Sequence, residues 1–183
     1  MAAYFTSDLH FGHGSIIKYC QRPFRDRDHM LKHMITIINQ RVKPNDTLYH
    51  IGDFCAYGRE KGVMGDKAPA TYYEDLINAK VIHIMGNHDS NNKVKDGVEY
   101  AVMRMSNLNV LMVHKPECVY VDTLLATGAI DLVLCGHVHE KWAERVIDGI
   151  LRINVGVDVR RFVPMSKMDV LKIYHKWKGG QND

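Results

Sequence analysis

Residues 81–89, which read VIHIMGNHD, are the stretch on which the predicted fold and site of this chain depend. An apolar run of strand length ends abruptly at Gly86, and Asn87, His88 and Asp89 follow at once. Glycine lets the backbone turn sharply, so these polar side chains can be held rigidly at the end of a buried strand. The stretch therefore predicts a strand that carries metal-binding or proton-transferring groups at its C-terminal end. An ordinary strand-to-loop turn with a polar tip is the alternative.

Four further apolar runs end in the same kinds of side chain. They are residues 2–7, followed by Asp8 and His10; residues 47–51, followed by Asp53; residues 109–113, followed by His114; and residues 131–135, followed by His137 and His139. In an α/β sheet, ligands bind beyond the carboxyl ends of the strands. Five such ends that carry Asp, His and Asn therefore predict one shared pocket.

Length and composition limit the classes of protein that need be considered. The 183 residues suit a single domain spanning residues 1–183. The formal net charge of +3 is too small to identify a nucleic-acid-binding protein, although it allows an anionic substrate. The four cysteines form no C-x-x-C pair, the N-terminus lacks a secretory pattern, and no apolar stretch approaches the roughly 18 residues of a membrane span. We therefore expect a cytoplasmic protein with no membrane partner, and the oligomeric state stays open.

Several residues near the predicted pocket are candidates for substrate contact. A glycine-rich turn at residues 11–14 places His13 beside the pocket, where it touches substrate unless nearby backbone satisfies it. Two loops leave strand ends that bear site residues, and both carry cations that can meet phosphate oxygens. These cations are Arg59, Lys61, Lys93 and Lys95. Solvated loop side chains are the alternative for all of them.

Other residues are assigned to structure rather than chemistry. Ser15 and Asp26 are expected to cap two helices, and Ser166 with Asp169 forms a capping box for the last helix. His50 and His83 lie inside apolar runs and are expected to be packed core residues. The stripe of the second helix is expected to face the core, and it consists of Leu31, Met34, Ile35, Ile38 and Val42. His29 and His33, on its opposite face, are interpreted as solvated rather than as a metal clamp.

The candidate ligands combine imidazole, carboxylate and amide groups without a thiolate. Such a set suits manganese, iron, zinc or nickel, whereas a cage of oxygens alone would indicate magnesium or calcium. Seven ligands exceed what one ion takes from protein while keeping an open position. Two divalent ions therefore fit better. A pair roughly 3.5 to 4 Å apart can hold a hydroxide between them and clamp both oxygens of an in-line phosphoryl displacement, which predicts phosphoester hydrolysis.

The motif order D-x-H, G-D, G-N-H-D, H and G-H-x-H resembles the calcineurin-like metallophosphoesterase superfamily over nearly the whole chain. The resemblance implies an α/β fold of two packed mixed β-sheets flanked by helices. It implies one ion held by Asp8, His10, Asp53 and His139, and a second held by Asp53, Asn87, His114 and His137. Asp53 would then bridge the two ions. His88 would protonate the leaving oxygen or stabilise the transition state, with Asp89 orienting the imidazole.

The details of the motifs narrow the expected substrate. The opening D-L-H-F-G-H resembles small single-domain bacterial and phage members. Residues 54–58 lack the acidic residue and arginine that protein Ser/Thr phosphatases place after G-D, and Asp89 stands where those enzymes have Glu. We expect a phosphodiesterase that acts on nucleotides or nucleic-acid-like substrates with two divalent ions, preferably manganese, with iron, zinc, nickel or magnesium as alternatives. A phosphomonoesterase of small molecules and a non-catalytic metal-binding scaffold of the same fold remain open, and His88 favours the enzyme.

Overall fold

A computed structural model describes residues 1–56 and 68–180. Within these residues the chain forms nine strands, five α-helices and one 3₁₀ turn at His139–Lys141. The strands are β1 Ala3–Thr6, β2 Thr47–Ile51, β3 Lys80–Ile84, β4 Tyr100–Met105, β5 Leu108–Val113, β6 Leu132–Cys135, β7 Glu144–Ile147, β8 Ile150–Asn154 and β9 Met165–Ser166. The helices are α1 Ser15–Tyr19, α2 Arg27–Arg41, α3 Ala70–Asp75, α4 Val119–Leu125 and α5 Lys167–Gly179.

The strands form two mixed sheets. The first has the order β3-β2-β1-β9, in which β1, β2 and β3 are parallel and β9 is antiparallel at the edge. The second has the order β4-β5-β6-β8-β7, in which β5, β6 and β8 are parallel and the two edge strands are antiparallel. This arrangement confirms the expected α/β class with two mixed sheets. Parallel strands within each sheet deliver their carboxyl ends to the same edge, which is what a shared site requires.

The two sheets pack face to face through a common apolar core. Phe5 of the first sheet and Met112, Leu134 and Ile153 of the second belong to one buried cluster. The alternate residues of β5, such as Leu111, turn to the other face of the second sheet and pack with Val121 of α4 in a separate cluster. Because side chains alternate across a strand, the second sheet is buried on both faces. A third cluster joins α2 to the first sheet.

The helix caps agree with the sequence predictions at two of three places. The Asp26 carboxylate accepts a hydrogen bond of 2.8 Å from the backbone N–H of His29 and begins α2. Ser166 and Asp169 form the expected capping box of α5. The prediction for Ser15 is wrong, because Ser15 is the first residue of α1 and Gly14 occupies the cap position.

The apolar face of α2 is rotated slightly from the predicted stripe. Met30, Met34, Ile38 and Val42 are the fully buried members, whereas Leu31 and Ile35 are only partly buried. His29 and His33 are exposed, and both imidazoles pack against the ring of Phe24. No helix in the described parts of the chain combines the length and apolar character needed to cross a bilayer.

Candidate metal centre

Six of the seven predicted ligands gather in two groups of three. Asp8, His10 and His139 each offer a ligand atom within 4.8 Å of the others, and Asp53, His114 and His137 form a second group by the same measure. These residues follow the carboxyl ends of β1, β2, β5 and β6, as the strand-end argument predicts. Asn87, the seventh, is exposed beyond β3 and lines the same pocket as His114.

Asp53 lies between the two groups. Its Oδ2 atom is 3.4 Å from Nε2 of His114 and 3.7 Å from Nε2 of His10, so one oxygen faces both. Its Oδ1 atom accepts a 3.0 Å hydrogen bond from the backbone N–H of His88, which fixes the orientation of the carboxylate. A carboxylate held in this way has the geometry needed to bridge two cations.

The chemistry of the buried donors fits divalent cations. Nε2 of His10 and Nε2 of His114 are buried, and neither has a hydrogen-bond partner among the residues that the structure describes. Buried polar atoms are almost always satisfied, and two unpaired nitrogens that face one carboxylate oxygen form an arrangement that a bound cation would satisfy. Burial also lowers the pKa of His10 to about 3, which keeps its imidazole neutral and able to coordinate a metal.

The backbone at the site adopts an unusual conformation. Five of the seven predicted ligands have positive φ: Asp8, His10, Asp53, His137 and His139, with values from 47° to 70°. Residues other than glycine rarely occupy this left-handed region, and such strain concentrates at functional sites. The strand ends therefore curl so that alternate side chains point into one space.

The glycines of the motifs allow the close approach of the chain segments. A Cβ atom on Gly52 would collide with the imidazole of His114, and one on Gly136 would collide with Oγ of Ser7 and lie 2.5 Å from Oδ2 of Asp8. Gly52 also has φ of 88°. Glycine is therefore required directly before Asp53 and His137, which explains the G-D and G-H motifs in physical terms.

The carboxylates of the site differ in their electrostatics. Burial raises the pKa of Asp8, although His114 and His139 oppose the change. Burial would also raise the pKa of Asp53, but the nearby His114 and His10 outweigh it and the pKa lies below its usual range. Asp53 is therefore anionic even without a cation, and it is the stronger electrostatic anchor for one.

Asp158 and Arg22 support the ligand His139 and were missed by the sequence analysis. Burial would lower the pKa of His139, but Asp158, together with Cys20 and Asp8, outweighs the burial and raises the pKa to about 10. Oδ2 of Asp158 lies 2.8 Å from Nδ1 of His139, so Nε2 of that ring faces Asp8. The buried Arg22 guanidinium donates to both oxygens of Asp158 and to the backbone carbonyls of Asp8 and Leu9. Carboxylates in this position orient metal-binding imidazoles in many proteins.

Asn154 also fixes the segment that bears His139. The Nδ2 group of the buried Asn154 donates to the carbonyls of His139 and Trp142, each at 2.9 Å. Its Oδ1 atom accepts from the backbone N–H of Gly156 at 2.8 Å. Asn154 is the last residue of β8, so a sixth strand end contributes to the site.

His88 lies beside Asp53, and Asp89 makes no hydrogen bond to its ring. The imidazole of His88 is half exposed, with Nε2 3.9 Å from Oδ2 of Asp53 and its ring centroid 5.9 Å from that of His10. Asp89 is buried, and its carboxylate accepts hydrogen bonds from the backbone N–H groups of Asp53, Phe54 and Gly86. The carboxylate therefore holds the backbone of two motifs together instead of the imidazole, which corrects the expected role of Asp89.

The predicted rim residues fall in different places. The ring of His13 is 5.5 Å from that of His10, so His13 borders the first group. Lys93 and Lys95 are exposed on the loop after Asp89. Arg59 and Lys61 lie outside the described residues. Lys115, which the sequence analysis did not single out, lines the pocket at His114. Burial, His114 and Lys115 together lower the pKa of His137 to about 4.

The comparison with known sequences identifies the family. The sequence model described as the calcineurin-like phosphoesterase superfamily domain matches residues 1–168. The chain therefore belongs to the calcineurin-like phosphoesterase superfamily, as the motif order indicates.

Three individual proteins are similar to this chain. An uncharacterized protein of Methanocaldococcus jannaschii is 31% identical over 179 residues, which cover 96% of this chain and 92% of that protein. The crystal structure of a protein of unknown function from Aquifex aeolicus has a TM-score of 0.71 at 25% identity and covers 94% of this chain and 98% of its own. A novel archaeal phosphodiesterase has a TM-score of 0.48 at 20% identity, with coverage of 85% and 84%.

Proposed function

We propose that this protein is a phosphoesterase that uses two divalent cations, preferably manganese, and favours phosphodiesters of the nucleotide or nucleic-acid type. The single observation that carries the proposal is the position of Asp53, whose Oδ2 atom faces the nitrogens of His10 and His114 from the two groups at once. The first group would hold one cation through Asp8, His10 and His139. The second group would hold the other through His114 and His137, joined by Asn87, with Asp53 shared between the two cations.

Divalent cations held there would supply Lewis-acid activation of water and neutralise charge that develops on the phosphoryl oxygens. The other parts of the reaction fall to the protein. Asp158 holds Nδ1–H of His139, so Nε2 is the nitrogen that would coordinate, with its proton displaced when a cation binds. Asp89 holds the backbone at Asp53 and Gly86, which sets the distance between the second and third motifs.

We assign protonation of the leaving group to His88. Its imidazole is half exposed beside Asp53, so it can reach a substrate oxygen and exchange its proton with solvent. It lies outside both groups of candidate ligands, which separates proton transfer from metal binding. General acid catalysis of this kind typically contributes about 10²- to 10⁴-fold.

The preference for diesters rests on the openness of the site. Asn87, His88 and His137 are all exposed, so the second ester arm of a diester has room to extend beyond the phosphoryl group. Lys115 adds positive charge on the same side. The mixed imidazole and carboxylate set suits manganese, and it also accepts zinc or iron.

The experiment that tests the proposal separates binding from chemistry. His88→Ala should retain close to two manganese ions per chain and lose about 10²- to 10⁴-fold in kcat. The loss should be smaller for a nitrophenol leaving group, which departs without a proton, than for an alkoxide such as a ribose hydroxyl. The matched variant His137→Ala should lose metal instead.

Four results would contradict the proposal. A native protein that binds a single ion at saturating manganese lacks the dinuclear centre. Loss of metal in His88→Ala, or an equal rate defect for both leaving groups, removes the proton-donor role. Metal binding with no hydrolysis of any mono- or diester would favour the metal-binding scaffold of the same fold.

A further inference from the structure

A pocket of about 230 Å³ opens beside the second group of candidate ligands. Asn87 and His114 form the wall that it shares with the metal centre. Its other walls come from the end of β3, the residue before β4, and the segment between β5 and α4. The residues that line it beyond the shared wall are Met85, Gly86, Glu99, Val113, Lys115, Cys118 and Tyr120.

The pocket is sized for one ring system. Sites that enclose a drug-sized ligand have volumes of about 300 to 1,000 Å³, so 230 Å³ accommodates part of a substrate and not a whole nucleotide. Asn87 and His114 line the pocket and also belong to the proposed second cation site, so a phosphoryl group bound there would have one ester arm beside the pocket. The pocket is therefore a subsite for an ester arm.

The walls combine apolar faces with separate polar groups. Met85, Val113 and Cys118 supply apolar surface. Glu99 accepts hydrogen bonds and Lys115 donates them, because an ionised carboxylate has only acceptors and an ammonium only donors. A simple alkyl arm would use the apolar surface alone.

Tyr120 provides a face for stacking. Its side chain is 39% exposed, which leaves part of the ring free for a ligand. Tyr100 supports it from β4, with ring centroids 5.3 Å apart and an angle of 38° between the planes. A tyrosine held in place by a second ring presents a rigid aromatic surface at low entropic cost.

We infer that this pocket binds the nucleobase of a nucleoside phosphoester, with Tyr120 stacking on the base and Glu99 and Lys115 contacting its edge. A nucleobase is planar, has apolar faces, and carries both donors and acceptors on its edge, which matches the three kinds of wall. The inference rests on the proposed phosphoesterase activity for the position of the phosphoryl group. It goes beyond that proposal by naming the part of the substrate that is recognised and the residues that recognise it.

The test uses two diesters that share a leaving group. The p-nitrophenyl ester of thymidine 5′-phosphate and methyl p-nitrophenyl phosphate are compared at the same manganese concentration. We expect kcat/KM to be about tenfold or more higher for the nucleoside ester, the usual size of one base–aromatic contact. Tyr120→Ala should reduce that ratio toward one, and Tyr120→Phe should preserve it. Tyr72→Ala, which removes an exposed tyrosine of α3, is the matched control and should leave the ratio unchanged.

A binding measurement separates failure of the inference from failure of the proposed function. Calorimetry compares thymidine 5′-phosphate with methyl phosphate on the manganese-loaded protein, and tighter binding of the nucleotide that depends on Tyr120 supports the inference even if neither ester is hydrolysed. In that case only the proposed activity fails. Equal kcat/KM for the two esters, or a ratio that Tyr120→Ala leaves unchanged, would overturn the inference while the hydrolase proposal stands.

Discussion

Replacing Asp158 by asparagine should weaken the binding of one of the two proposed cations and leave the binding of the other unchanged. In the native structure Oδ1 of Asp158 accepts from Nε of Arg22, and Oδ2 accepts from Nη2 of Arg22 and from Nδ1 of His139. All three partners are donors. An asparagine of the same shape offers one oxygen and one amide NH₂ group in place of the two oxygens.

Each orientation of the new amide leaves a mismatch. With NH₂ at the Oδ2 position, Nδ1 of His139 must become an acceptor, so the ring proton moves to Nε2, the nitrogen that faces Asp8 at 3.8 Å. That tautomer cannot bind a metal through Nε2. With NH₂ at the Oδ1 position, the amide faces Nε–H of Arg22, whose side chain is fully buried. The first orientation lowers metal affinity and also sets the amide against Nη2–H of Arg22, and the second sets it against Nε–H, so both destabilise the fold.

The expected magnitudes follow from these two costs. Loss of a carboxylate that orients a metal-binding imidazole typically lowers metal affinity by about 10- to 100-fold. Removing the anionic partner of a buried arginine costs about 3 kcal/mol or more in the free energy of unfolding. Because His114 and His137 do not contact Asp158 in these hydrogen bonds, the second cation should bind with nearly native affinity.

Calorimetric titration with manganese, together with urea unfolding, measures both effects. The matched control is Asp169→Asn, which also removes a carboxylate paired with an arginine, Arg41, but on the surface at the start of α5. The control should change neither metal affinity. Two results for Asp158→Asn would refute the reasoning: an equal loss of affinity for both cations, or native affinity for both. Either would mean that His139 does not bind one particular cation with Asp158 as its positioning residue.

Three further outcomes are expected. Asp53→Asn should lower the affinity for both cations by at least about tenfold in a metal titration, because one oxygen of Asp53 faces both groups. A lower affinity for only one cation would exclude Asp53 as the bridge. The kcat/KM for bis(p-nitrophenyl) phosphate should exceed that for p-nitrophenyl phosphate in the same buffer, and the reverse order would contradict the diester preference. Burial holds the pKa of His50 well below its usual value, so the ring is neutral in both states above about pH 6.5. Below that pH the unfolded chain alone binds the proton, and stability should fall by up to about 1.4 kcal/mol per pH unit. His50→Leu should flatten this slope in unfolding experiments, and an unchanged slope would mean that other groups cause it.

The parts of the site that follow from strand direction could be predicted from the sequence. Asp8, Asp53 and His114 follow strands that run parallel to their neighbours, and parallel strands bring their carboxyl ends to one edge. The same argument applied to β8, which is parallel to β6, would have pointed to Asn154 and Asp158. The strand at residues 150–154 was not among the five apolar runs that the sequence analysis assigned to the site, so these two residues were missed.

Other parts depend on contacts that no local pattern reports. Arg22 lies 136 residues from Asp158 in the chain, and nothing around Arg22 distinguishes it from a solvated arginine. Asp89 was expected to act on its neighbour His88, but its carboxylate satisfies three backbone N–H groups that only the folded loops bring together. The base-sized pocket is likewise a product of packing between β3, β5 and α4.

The left-handed backbone at the ligands has a consequence for protein engineering. Conformations of this kind cost about 1 kcal/mol or more per residue, and five of them together approach the net stability of an ordinary domain, about 5 to 15 kcal/mol. The flanking sheets must supply that energy, so the geometry of the ligands belongs to the scaffold as much as to the side chains. Transplanting the seven residues onto ordinary turns of another protein would deliver the correct composition with the wrong directions. A successful graft would have to carry the curled strand ends and their glycines with it.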